Sequence, residues 1–559
     1  MPAITIGQHL INRLKEVGID TIFGVPGDFN MPLLDIIEED KELTWGNNAN
    51  ELNASYAADG YARIRGAGAV VTTFGVGELS AVNGLAGAYS EMLPVIHIVG
   101  TPNTKSQASG AMLHHSLGDG NFDVFHQMSA MISCASSHLK KNNAITEIDR
   151  VISTAVRSKR TGYIGLPIDL IHYEVNVPEL PPLSLEIPKN PVQTQELALK
   201  VCLEAISKAK HPVIVVDGCV LRHHAEKITE DFIKRSGFPT YVAPMGKGAV
   251  DETLPQYRGC YSGCVSLDAI NEEIEKADLF IEIGSIKSDF NTGNFSYALD
   301  PTKTITLHSF ATIVFCAEYQ KVSMLEFLPL LTAALPKEPR VFNLGPRHQP
   351  LAIQEGTEIT HNYLWNKVPE FIDENAIICG ETGTSEFATL NLNGPKGASY
   401  ITQFLWGSIG FSVGAALGAA IADRKRRLYL FVGDGSFQLT AQEISVMLHH
   451  GLTPVVFLLN NDGYTIEKLI HGPDMAYNNF QMWNYNKALD FFGAHLERNT
   501  KAGCSKVGFE GKVSTRAEFE AVMKDIQAQP DKMHFVELVM PRMDAPRELV
   551  RLVEKSENR

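Results

Sequence analysis

Between Gly433 and Gly463 the chain carries Gly433-Asp434-Gly435-Ser436, a stretch of helix length, the apolar run Val455-Val456-Phe457-Leu458-Leu459, and then Asn460-Asn461-Asp462-Gly463. Residues of these types can build a metal-diphosphate site. Mg²⁺ takes an octahedron of oxygens in which one or two protein carboxylate or amide groups are completed by phosphate and water, and Asp434 and Asn461 can each supply an oxygen. The flanking glycines let backbone approach a phosphate, and a helix beginning near Ser436 aims free N–H groups at the anion. A strand, a helix and a second strand bring both loops to one carboxyl edge of a parallel sheet, where ligands sit in open α/β folds. A bare Gly-Asp-Gly is usually a surface turn; the apolar strand ending in Asn-Asn at this distance argues for the site.

Four further segments carry residues able to move protons or hold a ligand: Gly24-Val25-Pro26-Gly27-Asp28, Asn50-Glu51-Leu52-Asn53-Ala54, His114-His115-Ser116-Leu117-Gly118 and Gly463-Tyr464-Thr465-Ile466-Glu467. Taken locally, Glu51 is a helix-start glutamate of the kind the macrodipole favours. The pair His114-His115 precedes a glycine-rich loop, where side chains can converge on a ligand. His223-His224 and His449-His450 instead fall in helical patterns with polar faces and are expected to be solvated.

In type and order these segments, with the metal motif, resemble the thiamine diphosphate-dependent 2-oxo acid decarboxylase family, and within it the fungal-type pyruvate decarboxylases, over nearly the whole chain. The resemblance implies Asp28, Glu51, His114, His115 and Glu467 as catalytic residues. It implies thiamine diphosphate held by Glu51, Thr382, Gly407, Ile409, Asp434, Gly435, Ser436, Asn461, Gly463 and Ile466. Glu51 would drive the aminopyrimidine to its imino form, the Gly407 carbonyl and Ile409 N–H would meet the ring's other polar edge, and Ile409 would bend the cofactor. Mg²⁺ would lie on Asp434, Asn461 and Gly463. Phe290, Ile466 and Ile470 would wall a partly apolar substrate pocket, in which loss of carboxylate charge is favoured.

The implied reaction is non-oxidative decarboxylation of a short 2-oxo acid, pyruvate to acetaldehyde and CO₂, through a carbanion and an enamine. Decarboxylation of larger acids such as indolepyruvate, phenylpyruvate or branched-chain 2-oxo acids is the alternative. An acetolactate synthase or oxidase would need a flavin fingerprint in the middle of the chain, and none stands out. A non-catalytic filament or assembly protein retaining the fold is the remaining alternative. Two positions depart from the family pattern. Glu386 stands where a small or apolar residue lining the substrate channel is expected. Cys219 and Glu91 match a substrate-activation relay, but Met92 follows where a polar residue belongs.

The elements that must position these groups are those of a multi-domain α/β protein. A chain of 559 residues exceeds one hydrophobic core and suggests about three domains. Its 44% hydrophobic and 20% charged content is ordinary for a globular protein. The net charge of −15 argues against a nucleic-acid or anionic-membrane surface. Eight cysteines at this length make no disulfide or zinc-finger framework, and the N-terminus lacks a basic start and apolar stretch, so a cytoplasmic protein with reduced thiols is expected.

The uncharged segment Ile401 to Ala422 is rich in Gly, Ala and Ser, which suits a buried helix better than a membrane span. Alternating strand and helix patterns predict three doubly wound domains with mostly parallel sheets. Pro-rich stretches near 177–191 and 334–339 separate an N-terminal pyrimidine-binding domain at 1–182, a middle domain at 192–340 and a C-terminal diphosphate and Mg²⁺ domain at 355–540, with a tail at 541–559. The resemblance also implies a homodimer or homotetramer with active sites between subunits, and a place in alcoholic fermentation.

Overall fold

The computed structural model describes residues 3–177, 180–297, 299–348 and 351–557. Pro178 and Glu179 of the first Pro-rich stretch, and the last two residues of the expected tail, lie outside the described residues. The described strands form two six-stranded sheets, one seven-stranded sheet and a two-stranded ribbon.

The first six-stranded sheet is parallel throughout and is built from Thr44–Trp45, Thr21–Gly24, Gly68–Thr73, Val95–Thr101, Gly162–Pro167 and Ala135–His138, in that spatial order. The other six-stranded sheet runs Ser399–Ile401, Ile377–Gly380, Leu428–Gly433, Val455–Asn460, Met533–Val539 and Val507–Val513, again parallel. Their central strands are buried on both faces and read as near-continuous apolar runs, as sheets covered by helices on both sides require. The seven-stranded sheet between them in sequence departs from a wholly parallel pattern. Its last three strands, Thr304–Leu307, Ala311–Val314 and Ala317–Gln320, are antiparallel because tight turns join them instead of crossover helices.

The two six-stranded units meet through the helices Glu51–Arg65 and Phe411–Ala422. A side chain at Gly418 would stand 1.8 Å from the Ala57 carbonyl oxygen, and one at Gly60 would stand 2.0 Å from that of Ala415. Backbone therefore packs on backbone, and small residues are required on both helices. Every residue of Phe411–Ala422 is buried, as expected for an interior helix, and no helix among the described residues is long and apolar enough to cross a membrane.

Candidate active site

The N-terminal sheet presents its carboxyl edge through the turn after Thr21–Gly24. Asn30 pins that turn, its Oδ1 accepting the Gly27 N–H at 2.9 Å and its Nδ2 donating to the Val25 carbonyl at 3.1 Å. Asp28 is left free to project. Its Oδ2 lies 2.7 Å from His114 Nε2, and its Oδ1 lies 3.9 Å from His115 Nε2.

His114 stacks on Phe29 with ring centroids 5.1 Å apart, and His115 adopts a left-handed backbone with φ of 65°. Strain of that kind concentrates at functional loops. Gly75 makes room for it, since a side chain there would stand 2.0 Å from the His115 carbonyl oxygen. The sequence thus brings Asp28, His114 and His115 together from segments far apart.

Glu51 opens the helix Glu51–Arg65, whose N-cap, Asn50, accepts the Asn53 N–H. Burial raises the Glu51 carboxyl above its usual range. A side chain at Gly77 would come within 2.9 Å of Glu51 Oε1, so glycine at that position keeps space around the carboxyl.

On the C-terminal sheet, Leu428–Gly433 and Val455–Asn460 pair in parallel and deliver Asp434 and Asn461 to the same edge. The helix after the first strand starts at Asp434 itself, slightly ahead of the expected Ser436. Asp434 Oδ1 accepts the Gly435 N–H at 2.8 Å and Oδ2 accepts the Gly463 N–H at 3.1 Å, so one carboxylate joins the two loops. Burial pushes this carboxyl up to about 6, a sign that the site as built calls for a compensating positive charge.

Both glycines of the pair are sterically required. A side chain at Gly435 would meet the Tyr464 ring at 2.4 Å, and Gly463, at φ 113°, would meet the Asn478 carbonyl oxygen at 2.6 Å. Asn461 is buried beside them. Two oxygen groups at one sheet edge, close-approach glycines and a buried carboxylate fit a hard divalent cation bridged to a diphosphate.

The turn Trp406-Gly407-Ser408-Ile409 is held by three side chains, of which sequence reasoning names Glu91 in another role and misses Glu381 and Gln403. Glu91 Oε1 accepts the Leu405 N–H at 2.9 Å, Gln403 Oε1 accepts the Ser408 N–H at 2.8 Å, and Glu381 accepts those of Gly410 at 2.9 Å and Ser412 at 3.1 Å. The Gly407 carbonyl and the Ile409 N–H, the two groups expected to meet the cofactor ring, have no hydrogen-bond partner among the described residues. Thr382 Oγ1, beside Gly407, is likewise buried without one. The only sequence signal for Glu381 and Gln403 is a lone polar residue ending or interrupting an apolar run.

Glu91 does more than support that turn. Its Oε2 lies 3.2 Å from the guanidinium of Arg222 and 3.5 Å from that of Arg63, so one buried carboxylate joins all three sheet-bearing units. Next to it, Cys219 Sγ lies 3.6 Å from Met92 Sδ and 3.9 Å from His308 Nε2. Burial pushes the Cys219 thiol up to about 12.

The expected pocket residues divide. Phe290 and Ile466 pack partly buried against the same apolar cluster, with the Phe290 ring 5.5 Å from that of Phe387, whereas Ile470 is 52% exposed on the single chain. Glu467 lies on that exposed surface too, and partial desolvation raises its carboxyl.

Glu386 does not meet its expectation as a channel-lining residue. The short helix Thr384–Ala388 is turned inward, Glu386 is fully buried, and neither carboxylate oxygen reaches a hydrogen-bond partner. Burial and the nearby Glu91 and Glu381 push its carboxyl well above the usual range. His223 is also not the solvated residue expected. Both its ring nitrogens are buried without partners, and burial lowers it to about 3.

Among the described residues no hydrogen bond or ion pair joins Asp28, Glu51, His114 or His115 to Asp434, Asn461 or Glu467. Within one chain the two groups therefore stay unbonded to each other. Comparison with known proteins identifies their kind. Residues 4–125 match the N-terminal TPP binding domain of thiamine pyrophosphate enzymes, residues 199–313 their central domain and residues 381–538 their C-terminal TPP binding domain.

Over nearly its full length the chain is similar to pyruvate decarboxylases of fungi. It is 43% identical to isozyme 3 of Saccharomyces cerevisiae, covering 99% of this chain and 98% of that protein. It is 44% identical to the enzyme of Kluyveromyces lactis, with the same shares covered. A putative pyruvate decarboxylase of Schizosaccharomyces pombe is 43% identical, over 98% of this chain and 97% of that protein.

Proposed function

The chain belongs to the pyruvate decarboxylase family of thiamine pyrophosphate enzymes, and we propose that it converts pyruvate and a proton to acetaldehyde and carbon dioxide. The observation that carries this reading is the presence on one chain of both a proton-handling cluster at the N-terminal sheet edge and a cradle suited to a metal and a diphosphate at the C-terminal sheet edge. When bound, thiamine diphosphate supplies the sink for the electron pair that carbon dioxide leaves behind.

Everything else is work for this chain's residues. Asp434, Asn461 and the backbone at Gly463 would hold Mg²⁺, and Gly435 and Ser436 would face the diphosphate. Thr382, the Gly407 carbonyl and the Ile409 N–H would bind the rest of the cofactor, which gives these orphaned polar groups partners. Glu51, whose carboxyl burial raises, would hold a proton for the aminopyrimidine nitrogen. Asp28, His114 and His115, with Glu467, would deliver the proton the product requires. Phe290 and Ile466 would exclude water beside the reacting carbon.

The active particle is a dimer or a larger even assembly in this reading, since a second copy can bring Glu51 and Asp434 to one site. The domain limits 1–182, 192–340 and 355–540 are proposed with it, each centred on one sheet. Eight free thiols suit a cytosolic location. Purified protein supplied with thiamine diphosphate and Mg²⁺ is expected to form acetaldehyde from pyruvate in an assay coupled to an alcohol dehydrogenase. Absence of acetaldehyde with full cofactor occupancy would refute the assignment.

A further inference from the structure

A second cluster of ligating side chains stands at the carboxyl edge of the N-terminal sheet, away from Asp28. Asp123, His126 and His138 each offer one atom, and the three atoms lie within 4.8 Å of one another. His138 ends the edge strand Ala135–His138. Asp123 immediately precedes the helix Val124–Ala130, making no side-chain capping bond, and His126 lies on that helix one turn later.

The two clusters sit at opposite ends of one aromatic group. Phe29, Phe74, Phe122, Phe125 and Tyr163 form a buried set; His114 stacks on Phe29 at one end, and His126 stacks on Tyr163, centroids 5.1 Å apart, at the other.

We propose that Asp123, His126 and His138 form a binding site for a divalent transition cation of the zinc class. Two imidazoles and one carboxylate are a donor set that zinc, cobalt and nickel accept, and that Mg²⁺, which prefers oxygen, does not. Metal–ligand bonds of about 2.0–2.1 Å put neighbouring ligand atoms of a tetrahedron about 3.3 Å apart. Asp123 Oδ1 and His126 Nδ1 are already 3.1 Å apart, in a hydrogen bond whose proton the cation would displace.

His138 needs only a modest ring movement to join them. Its Nε2 has a long 3.4 Å contact with Thr101 Oγ1, and its ring lies over Gly165, where no side chain locks it. The other nitrogen of His126 is buried without a hydrogen-bond partner, so the ring is held only through Asp123, whose Oδ2 accepts from Gln127 Nε2 at 2.8 Å. Asp123 is 54% exposed, which leaves a path for the ion and a position for water. A cation here would pin the residues that close the loop carrying His114 and His115.

The site does not depend on the proposed reaction. The test is Zn²⁺ titration of the full-length protein, preloaded with thiamine diphosphate and Mg²⁺, followed calorimetrically and by the visible absorption of Co²⁺ as substitute. One equivalent per chain is expected, lost in Asp123→Ala and His138→Ala and retained in His114→Ala, which controls for the Asp28 cluster. Uptake that is unchanged in Asp123→Ala, or no uptake at all by the wild type, overturns the proposal. Asp123→Ala removes an exposed carboxylate and keeps the test decisive even if His138→Ala folds poorly.

Discussion

The thiol of Cys219 points at the thioether of Met92, 3.6 Å away, and neither group can pass a proton or a charge to the other. Reaction with a substrate carbonyl needs the thiolate, and burial pushes the Cys219 thiol up to about 12. The rate is therefore expected to rise hyperbolically with pyruvate concentration, and Cys219→Ser to change the curve little. A sigmoidal wild-type curve that becomes hyperbolic in Cys219→Ser would show that the thiol is reached despite its burial.

Asp434→Ala removes the carboxylate that joins the Gly435 and Gly463 loops. Thiamine diphosphate affinity at limiting Mg²⁺ should fall by about 100-fold or more, given that even outer partners of a metal ligand are worth about 10–100-fold. Glu51→Gln should leave binding measurable and lower kcat by about 10²–10⁴ through lost proton transfer. Equilibrium binding separates the two, and tight cofactor retention by Asp434→Ala would remove that residue from the site.

Glu386 supplies a prediction about pH. Its folded carboxyl lies well above the ordinary 4.5, so the folded state binds a proton that the unfolded state releases, and stability falls as pH rises above about 4.5. Glu386→Gln abolishes that slope. Its melting temperature relative to wild type should climb between pH 5 and pH 8, by roughly 1 °C for each kcal/mol of ionisation cost removed. Parallel melting curves across that range would contradict the assignment. Because the side chain is interior, the substrate range of this variant should match the wild type.

Light scattering of the active protein should give a dimer or tetramer. Mixing inactive Glu51→Gln with inactive Asp434→Ala and allowing subunits to exchange should restore part of the activity, since some interfaces then pair two intact half-sites. Full activity in a monomeric particle would end this reading.

Ile466 is β-branched and stiff, and it packs with Phe290 against one apolar cluster. Pyruvate should have a higher kcat/KM than phenylpyruvate or indolepyruvate. Ile466→Ala should narrow that gap while lowering pyruvate turnover through poorer positioning. A wild type that prefers the aromatic acids would reverse the argument from pocket width.

The meeting of Asp434 and Asn461 at one sheet edge was readable because it is local: each directly follows an apolar strand, and glycines flank them. The Asp28 cluster was readable only through the resemblance, since His114 lies 86 residues from its partner and nothing local announces the meeting. Glu381 and Gln403 escaped notice because their roles are bonds to backbone. The Glu381 carboxylate is 29 residues from the Gly410 amide it holds, and a lone polar residue at a strand end does not reveal its acceptor or donor. Glu386 was misplaced for a related reason. Four of the five residues in Thr384–Ala388 are buried, so no polar face indicates which side of the helix meets solvent.

The backbone-to-backbone seam between Glu51–Arg65 and Phe411–Ala422 has a bearing on biosynthesis. Its two strips emerge from the ribosome roughly 350 residues apart, which at about 5–20 residues per second leaves the first strip waiting roughly 20–70 s for its complement. During that interval the whole middle unit is made and can fold, while a smooth alanine and glycine surface stays uncovered on the nascent chain. That surface is where a holdase would be expected to bind, and where premature termination would leave a fragment prone to self-association.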